Sequence, residues 1–103
     1  MKVGEFEFKN FEPSKDLAIS AQCMLGQLER LMINPLSLCA SMKKEGSSYL
    51  CHIEIQTSSG AFEEDVISIE PTKALDLVDA LIRRKIIQWQ SRNNPEIFED
   101  TIA

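Results

Sequence analysis

The feature that most constrains this chain is its hydrophobic period, which switches between two and about three and a half. Leu17, Ala21, Met24, Leu28 and Leu31 follow one another at spacings of four, three, four and three. That is the stripe of an amphipathic helix with one apolar face. Leu75, Val78, Ile82, Ile86 and Trp89 repeat it, again at threes and fours, towards the other end. Elsewhere the period is two. Val3, Phe6 and Phe8 stand among Glu5 and Glu7, and Leu36, Leu38, Ala40 and Met42 are interrupted by Ser37, Cys39 and Ser41. Tyr49, Cys51, Ile53 and Ile55 alternate with Leu50, His52, Glu54 and Gln56. Such alternation marks strands with one wet face.

The punctuation between these segments is equally readable. Pro13-Ser14 offers a stop and a helix N-cap, and Asn34-Pro35 ends the first helix, because proline disfavours helix in the residue before it. Lys43-Lys44-Glu45-Gly46-Ser47-Ser48 reads as a hairpin loop. Ser58-Ser59-Gly60 is a second connection, leading through the acidic run Glu63-Glu64-Asp65 to a strand at Val66–Glu70, where Ile67 and Ile69 share a face. Pro71-Thr72 opens the last helix with Thr72 as its cap, and Asn93-Asn94-Pro95 closes it.

The predicted order is β-α-β-β-β-α. It is an α+β fold, with a four-stranded, antiparallel-rich sheet and two helices packed on one face. Leu28, Leu31, Val78 and Ile82 are expected between helices and sheet. At 103 residues the chain is one domain, assigned here to residues 1–94. Residues 95–103 form an acidic tail expected to fray.

Composition narrows the function classes. No apolar run approaches the roughly 18 residues that cross a bilayer. The start, Met1-Lys2-Val3-Gly4-Glu5-Phe6, has no hydrophobic stretch of the signal-peptide kind. A cytoplasmic protein without a membrane partner is expected. Cys23, Cys39 and Cys51 are an odd number without C-x-x-C spacing and read as free thiols. With His52 as the single histidine, neither a metal site nor a cofactor is expected. No nucleophile with a neighbouring base, glycine-rich phosphate loop or carboxylate pair is visible, so the chain reads as a binder rather than an enzyme.

Net charge is −5, unevenly distributed. Residues 72–94 carry Lys73, Arg83, Arg84, Lys85 and Arg92 against Asp76 and Asp79, a net of +3. Residues 34–71 carry Lys43 and Lys44 against six acids, a net of −4. One element is basic and the rest is acidic, and the overall charge argues against strong non-specific binding to nucleic acid.

Two stretches carry a family resemblance. Lys9-Asn10-Phe11-Glu12-Pro13-Ser14-Lys15-Asp16-Leu17 is similar to an apolar-Glu-x-Ser/Thr-x-x-Leu start of helix one. Ser68-Ile69-Glu70, followed by Leu75-Asp76-Leu77-Val78-Asp79-Ala80-Leu81-Ile82, is similar to an Ala-Ala-Ile-Asp-x-Leu start of helix two. Arg84, Gln88, Trp89 and Arg92 then follow the outline of a lysine-rich end, K-L-x-x-Q-L-x-K-x-K. In these stretches and in topology, residues 2–94 resemble the short ribosome hibernation-promoting factors and ribosome-associated inhibitors of bacteria. The resemblance implies a translation regulator that binds the small ribosomal subunit and its RNA in the mRNA and tRNA channel, in stationary or stressed cells.

The residues proposed for RNA binding are Arg84, Arg92, Lys85, Arg83, Lys43 and Lys44. Positions 83, 84 and 85 point about 100° apart on a helix, so they form no single patch. Arg83, four residues after Asp79, also suits an intrahelical pair. Lys43 and Lys44 precede Glu45, which also suits a plain solvated turn. Helix one has Ala18, Met24 and Gln27 where the family pattern is basic, leaving Arg30 beside Glu29. A second reading therefore stands beside the first: the same fold as a protein-interaction module, meeting a protein partner or forming a homodimer.

Overall fold

The computed structural model describes residues 2–3, 5–32, 35–58 and 60–93, with the backbone only at positions 2, 3, 35, 92 and 93. The acidic segment 95–103 lies outside the described residues. The chain runs β1 (Lys2–Val3), β2 (Glu7–Lys9), α1 (Lys15–Leu31), β3 (Pro35–Glu45), β4 (Ser48–Thr57), β5 (Gly60–Ser68) and α2 (Pro71–Asn93). β1 and β2 are two pieces of one N-terminal strand, since both pair with β3. The β-α-β-β-β-α order follows, with the N-terminal strand, β3, β4 and β5 side by side.

Connection length decides strand direction. β3, β4 and β5 are joined by tight turns and pair antiparallel. The N-terminal strand pairs parallel to β3, because α1, with 17 residues and about 25 Å long, is a crossover that returns the chain to its starting end. Within the N-terminal strand the register slips. Val3 and Glu7 are four apart, whereas their partners Leu38 and Ser41 are three apart. The extra residue brings Phe8 opposite Met42, and with it Phe6 and Phe8 onto the core side. Continuing β1's register would have turned both rings to solvent. The Phe6 amide, released from the ladder at this break, donates to Gln22 Oε1 of α1 at 3.2 Å.

The strands alternate as the period of two requires. Leu38, Ala40 and Met42 of β3, Cys51, Ile53 and Ile55 of β4 and Val66 of β5 are buried, beneath Leu17, Ala21, Met24, Leu25 and Leu28 of α1 and Ala74, Leu75, Val78, Ile82 and Ile86 of α2. Each fully buried leucine or isoleucine contributes about 1.5–3 kcal/mol relative to exposure. Leu31 and Trp89 sit partly buried at the margin, Trp89 against Phe62 with ring centroids 6.1 Å apart. Ser14 caps α1, its Oγ accepting from the Leu17 amide at 3.1 Å.

Four local expectations are corrected. Leu36 is 58% exposed, because the register shifts between Pro35 and Ser37 and a one-residue slip reverses facing. Lys43 and Lys44 end β3, and the turn is only Gly46-Ser47. Gly46 has φ +61, which suits glycine at the first position of a two-residue hairpin turn. The last strand is Gly60–Ser68, so Glu63, Glu64 and Asp65 lie inside it, and Ile67 and Ile69 are exposed. Its buried residue is Val66, which pairs with Cys51. Finally, α2 begins at Pro71 rather than behind a Thr72 cap, and Glu70 O accepts the Ala74 amide at 3.1 Å. Proline suits the first helical position because its missing N–H has no partner there.

Candidate functional site

The two helices run parallel. Arg83 of α2 meets Gln27 of α1, and Gln90 meets Leu31, while Ser14 and Thr72 line the same groove at the helix starts. That groove carries Asp16, Asp76 and Asp79, with Ser20, Cys23 and Gln27. A phosphate backbone laid between the helices would meet carboxylates. An anion-binding surface is therefore not the groove between the helices.

The three consecutive cations of α2 divide by direction. Arg83 is half-buried: its Nε donates to Asp79 Oδ1 at 2.8 Å and its Nη2 to Gln27 Oε1 at 2.7 Å. It ties α2 to α1. Lys85 Nζ stands 2.6 Å from Glu64 Oε1 and donates to Glu63 O at 2.9 Å, tying α2 to β5. Arg84 is exposed and, among the described residues, makes no hydrogen bond or ion pair. Arg92 is in the last turn of α2, and its side chain lies outside the described residues.

The hairpin lysines are elsewhere. Lys43 faces outward from the sheet, opposite Leu50, and pairs with Glu45 at 3.3 Å. Lys44 is exposed with its ammonium 5.8 Å from the centroid of Tyr49. Both sit at the end of the sheet where α2 begins, roughly 20 Å along the helix axis from Arg84. The structure thus does not gather the six cations into one patch. It adds one that sequence reading left out. Arg30, whose Nε donates to Gly26 O at 3.3 Å, stands at the C-terminal end of α1, level with the last turns of α2 that carry Arg84 and Arg92. The parallel pairing of the helices puts these positions at the same end of the fold. The signal available in advance was its position in a last helical turn.

The outer face of the sheet holds a row that resembles catalytic chemistry and departs from it. Ser41, His52 and Asp65 are direct neighbours across β3, β4 and β5. His52 Nδ1 is 2.5 Å from Asp65 Oδ1, and Nε2 is turned to Glu63 at 3.8 Å. Among the described residues no hydrogen bond joins His52 to Ser41, so the base is not aimed at a nucleophile. Cys51 is buried, and burial pushes its thiol up to about 12, which leaves it un-ionised at neutral pH. Cys23 and Cys39 are exposed, on α1 and on the outer sheet face. No helix is long and apolar enough to cross a membrane, among the described residues.

No protein-family model and no curated protein matches the sequence. Solved structures do. A ribosomal subunit interface protein from Coxiella burnetii superposes with a TM-score of 0.71 at 10% identity, over 88% of this chain and 99% of that one. The N-terminal domain of Protein Y from Thermus thermophilus gives 0.71 at 13% identity, over 86% of this chain and 99% of its own. With parallel helices over one face of a sheet whose first strand is parallel and last three antiparallel, the chain has the fold of these proteins, the fold its resemblance to ribosome hibernation factors implied.

Proposed function

We propose that this protein is a ribosome-associated translation regulator, occupying the small ribosomal subunit under stress or in stationary phase and acting in the cytoplasm by occupancy rather than catalysis. The observation that carries the reading is the fold shared with a ribosomal subunit interface protein over 88% of the chain. Arg84 and Arg92 are its principal RNA contacts, with Lys43 and Lys44 as a second contact from the hairpin end. Arg83 and Lys85 have a supporting role, because Asp79, Gln27 and Glu64 already engage them. An exposed guanidinium binds a phosphate through two parallel N–H donors, a geometry that lysine lacks.

Co-sedimentation with ribosomes across a salt titration tests the reading. The wild type is expected in the ribosomal fraction at low salt and to leave it as salt rises. Arg84→Glu with Arg92→Glu should weaken association and lower the salt slope by about two, one for each phosphate contact removed. Arg83→Glu should weaken association less. A wild type that stays out of the ribosomal fraction even at low salt ends this reading and favours the protein-interaction alternative.

A further inference from the structure

The acidic half of the molecule has its own geometry. β5 is the last strand of the sheet, and among the described residues it has a neighbour on one side only. Apart from the Glu63 carbonyl, which accepts from Lys85, its nine residues therefore offer a row of N–H and C=O groups without a ladder partner, the template to which another strand adds. Side chains at alternate positions decide which strand. On the outer face these are Ala61, Glu63, Asp65 and Ile67. Glu63 stands directly opposite Glu54 of β4, and like charges placed directly opposite destabilise a sheet. His52 touches one oxygen of Asp65 and, at 3.8 Å, Glu63. Among the described residues no lysine or arginine pairs with the carboxylate of Glu54, Glu63 or Asp65; Lys85 reaches only the backbone carbonyl of Glu63, at 2.9 Å. By contrast Glu64, on the helix side, is answered by Lys85. Next to the acids Ile67 is 69% exposed, beside Leu50.

We propose that the β5 edge is a docking site for an extended, lysine- or arginine-rich segment of a partner protein, which adds to the sheet as a further strand. Alternate basic side chains of that strand lie beside Glu63 and Asp65 and relieve the Glu54–Glu63 repulsion. The aliphatic stem of the next basic side chain, two positions on, covers Ile67. A second copy of this chain is the wrong occupant, because antiparallel pairing of β5 with itself sets acid against acid. The inference does not rest on the ribosomal reading, and its test contains no ribosome.

The probe is a labelled nine-residue peptide alternating valine with lysine, titrated into the full chain with anisotropy as the readout. Saturable binding is expected, together with slowed hydrogen exchange in β5 and not in β2, at the opposite edge. Glu63→Lys with Asp65→Lys should weaken binding about tenfold or more. Both residues are exposed at the edge, so the fold survives the change. The same peptide methylated on alternate backbone nitrogens keeps its charge but cannot join the ladder, and it should bind at least tenfold more weakly. Equal binding of the methylated peptide, or of the double variant, would overturn the proposal. So would unchanged β5 exchange, or concentration-dependent self-association that protects β5 in the absence of peptide.

Discussion

α1 and α2 lie side by side on one face of the sheet with the same apolar spacing, yet they differ in what they show to their surroundings. α1 mostly receives ties. Its Gln22 accepts the Phe6 amide, its Gln27 accepts Arg83, and its last-turn Leu31 carbonyl accepts Gln90 Nε2 at 2.7 Å. α2 mostly supplies them, through Arg83, Lys85 and the buried Gln90. On the outer side Ile19 is the large apolar residue that α1 exposes, whereas α2 exposes Leu77, Leu81 and Ile87 around Arg84. The difference teaches how little net charge says about available charge. In a segment with five cations and a net of +3, Arg83 and Lys85 are committed to neighbouring elements and Lys73 pairs with Glu70, which among the described side chains leaves Arg84 without a partner on the outer face.

The comparison is open to attack from its largest effect downwards. Beneath both helices the cores should be equivalent: Leu28→Ala in α1 and Ile82→Ala in α2, each fully buried, should each cost about 2–5 kcal/mol in denaturant unfolding. A loss confined to one helix would mean that the other is not part of the common core. Gln90→Leu should cost about 1–3 kcal/mol, because it strands the Leu31 carbonyl where α1 ends. Its signature is faster hydrogen exchange in the last turn of α1, and unchanged exchange there would show that α1 needs no support from α2. The smallest effects separate consecutive arginines. Arg83→Ala should lose about 0.2–1 kcal/mol, as partly exposed ion pairs do, and Arg84→Ala should stay within about 0.5 kcal/mol of wild type. Equal losses at both positions would erase the division between tying and free cations.

Much of the fold was legible because periodicity reports facing directly. The stripes of Leu17–Leu28 and Leu75–Ile86, and the alternation of Leu38–Met42 and Cys51–Ile55, all reappear as buried positions. The misreadings cluster at edges and ends, where facing is set by a register that no local pattern encodes. A strand at Val66–Glu70 was expected because Ile67 and Ile69, two apart, share a face. The pairing of β4 with β5 instead gives the core position to Val66 and makes Glu63–Asp65 part of the strand. Acids inside a strand read as a loop until one knows that the strand is an edge, where charge is a common guard. The site was half legible. The separate directions of positions 83, 84 and 85 and the Asp79–Arg83 pair follow from helix geometry. The Gln27 and Glu64 partners do not, being contacts between elements.

By itself the sequence determined the order of the elements and, in the helices and the two inner strands, which side is apolar, because these depend on side-chain spacing within a few turns or residues. It also determined that the basic residues concentrate in the last helix. Tertiary structure alone decided that the first strand breaks and slips by one residue, that the helices run parallel with an acidic groove between them, and that Glu64 is matched while Glu63 faces Glu54. Each of these depends on which residues far apart in the chain are brought to within a few ångströms. Hydrogen-bond and Coulomb energies change steeply over that range, so they are fixed only once the whole chain has packed.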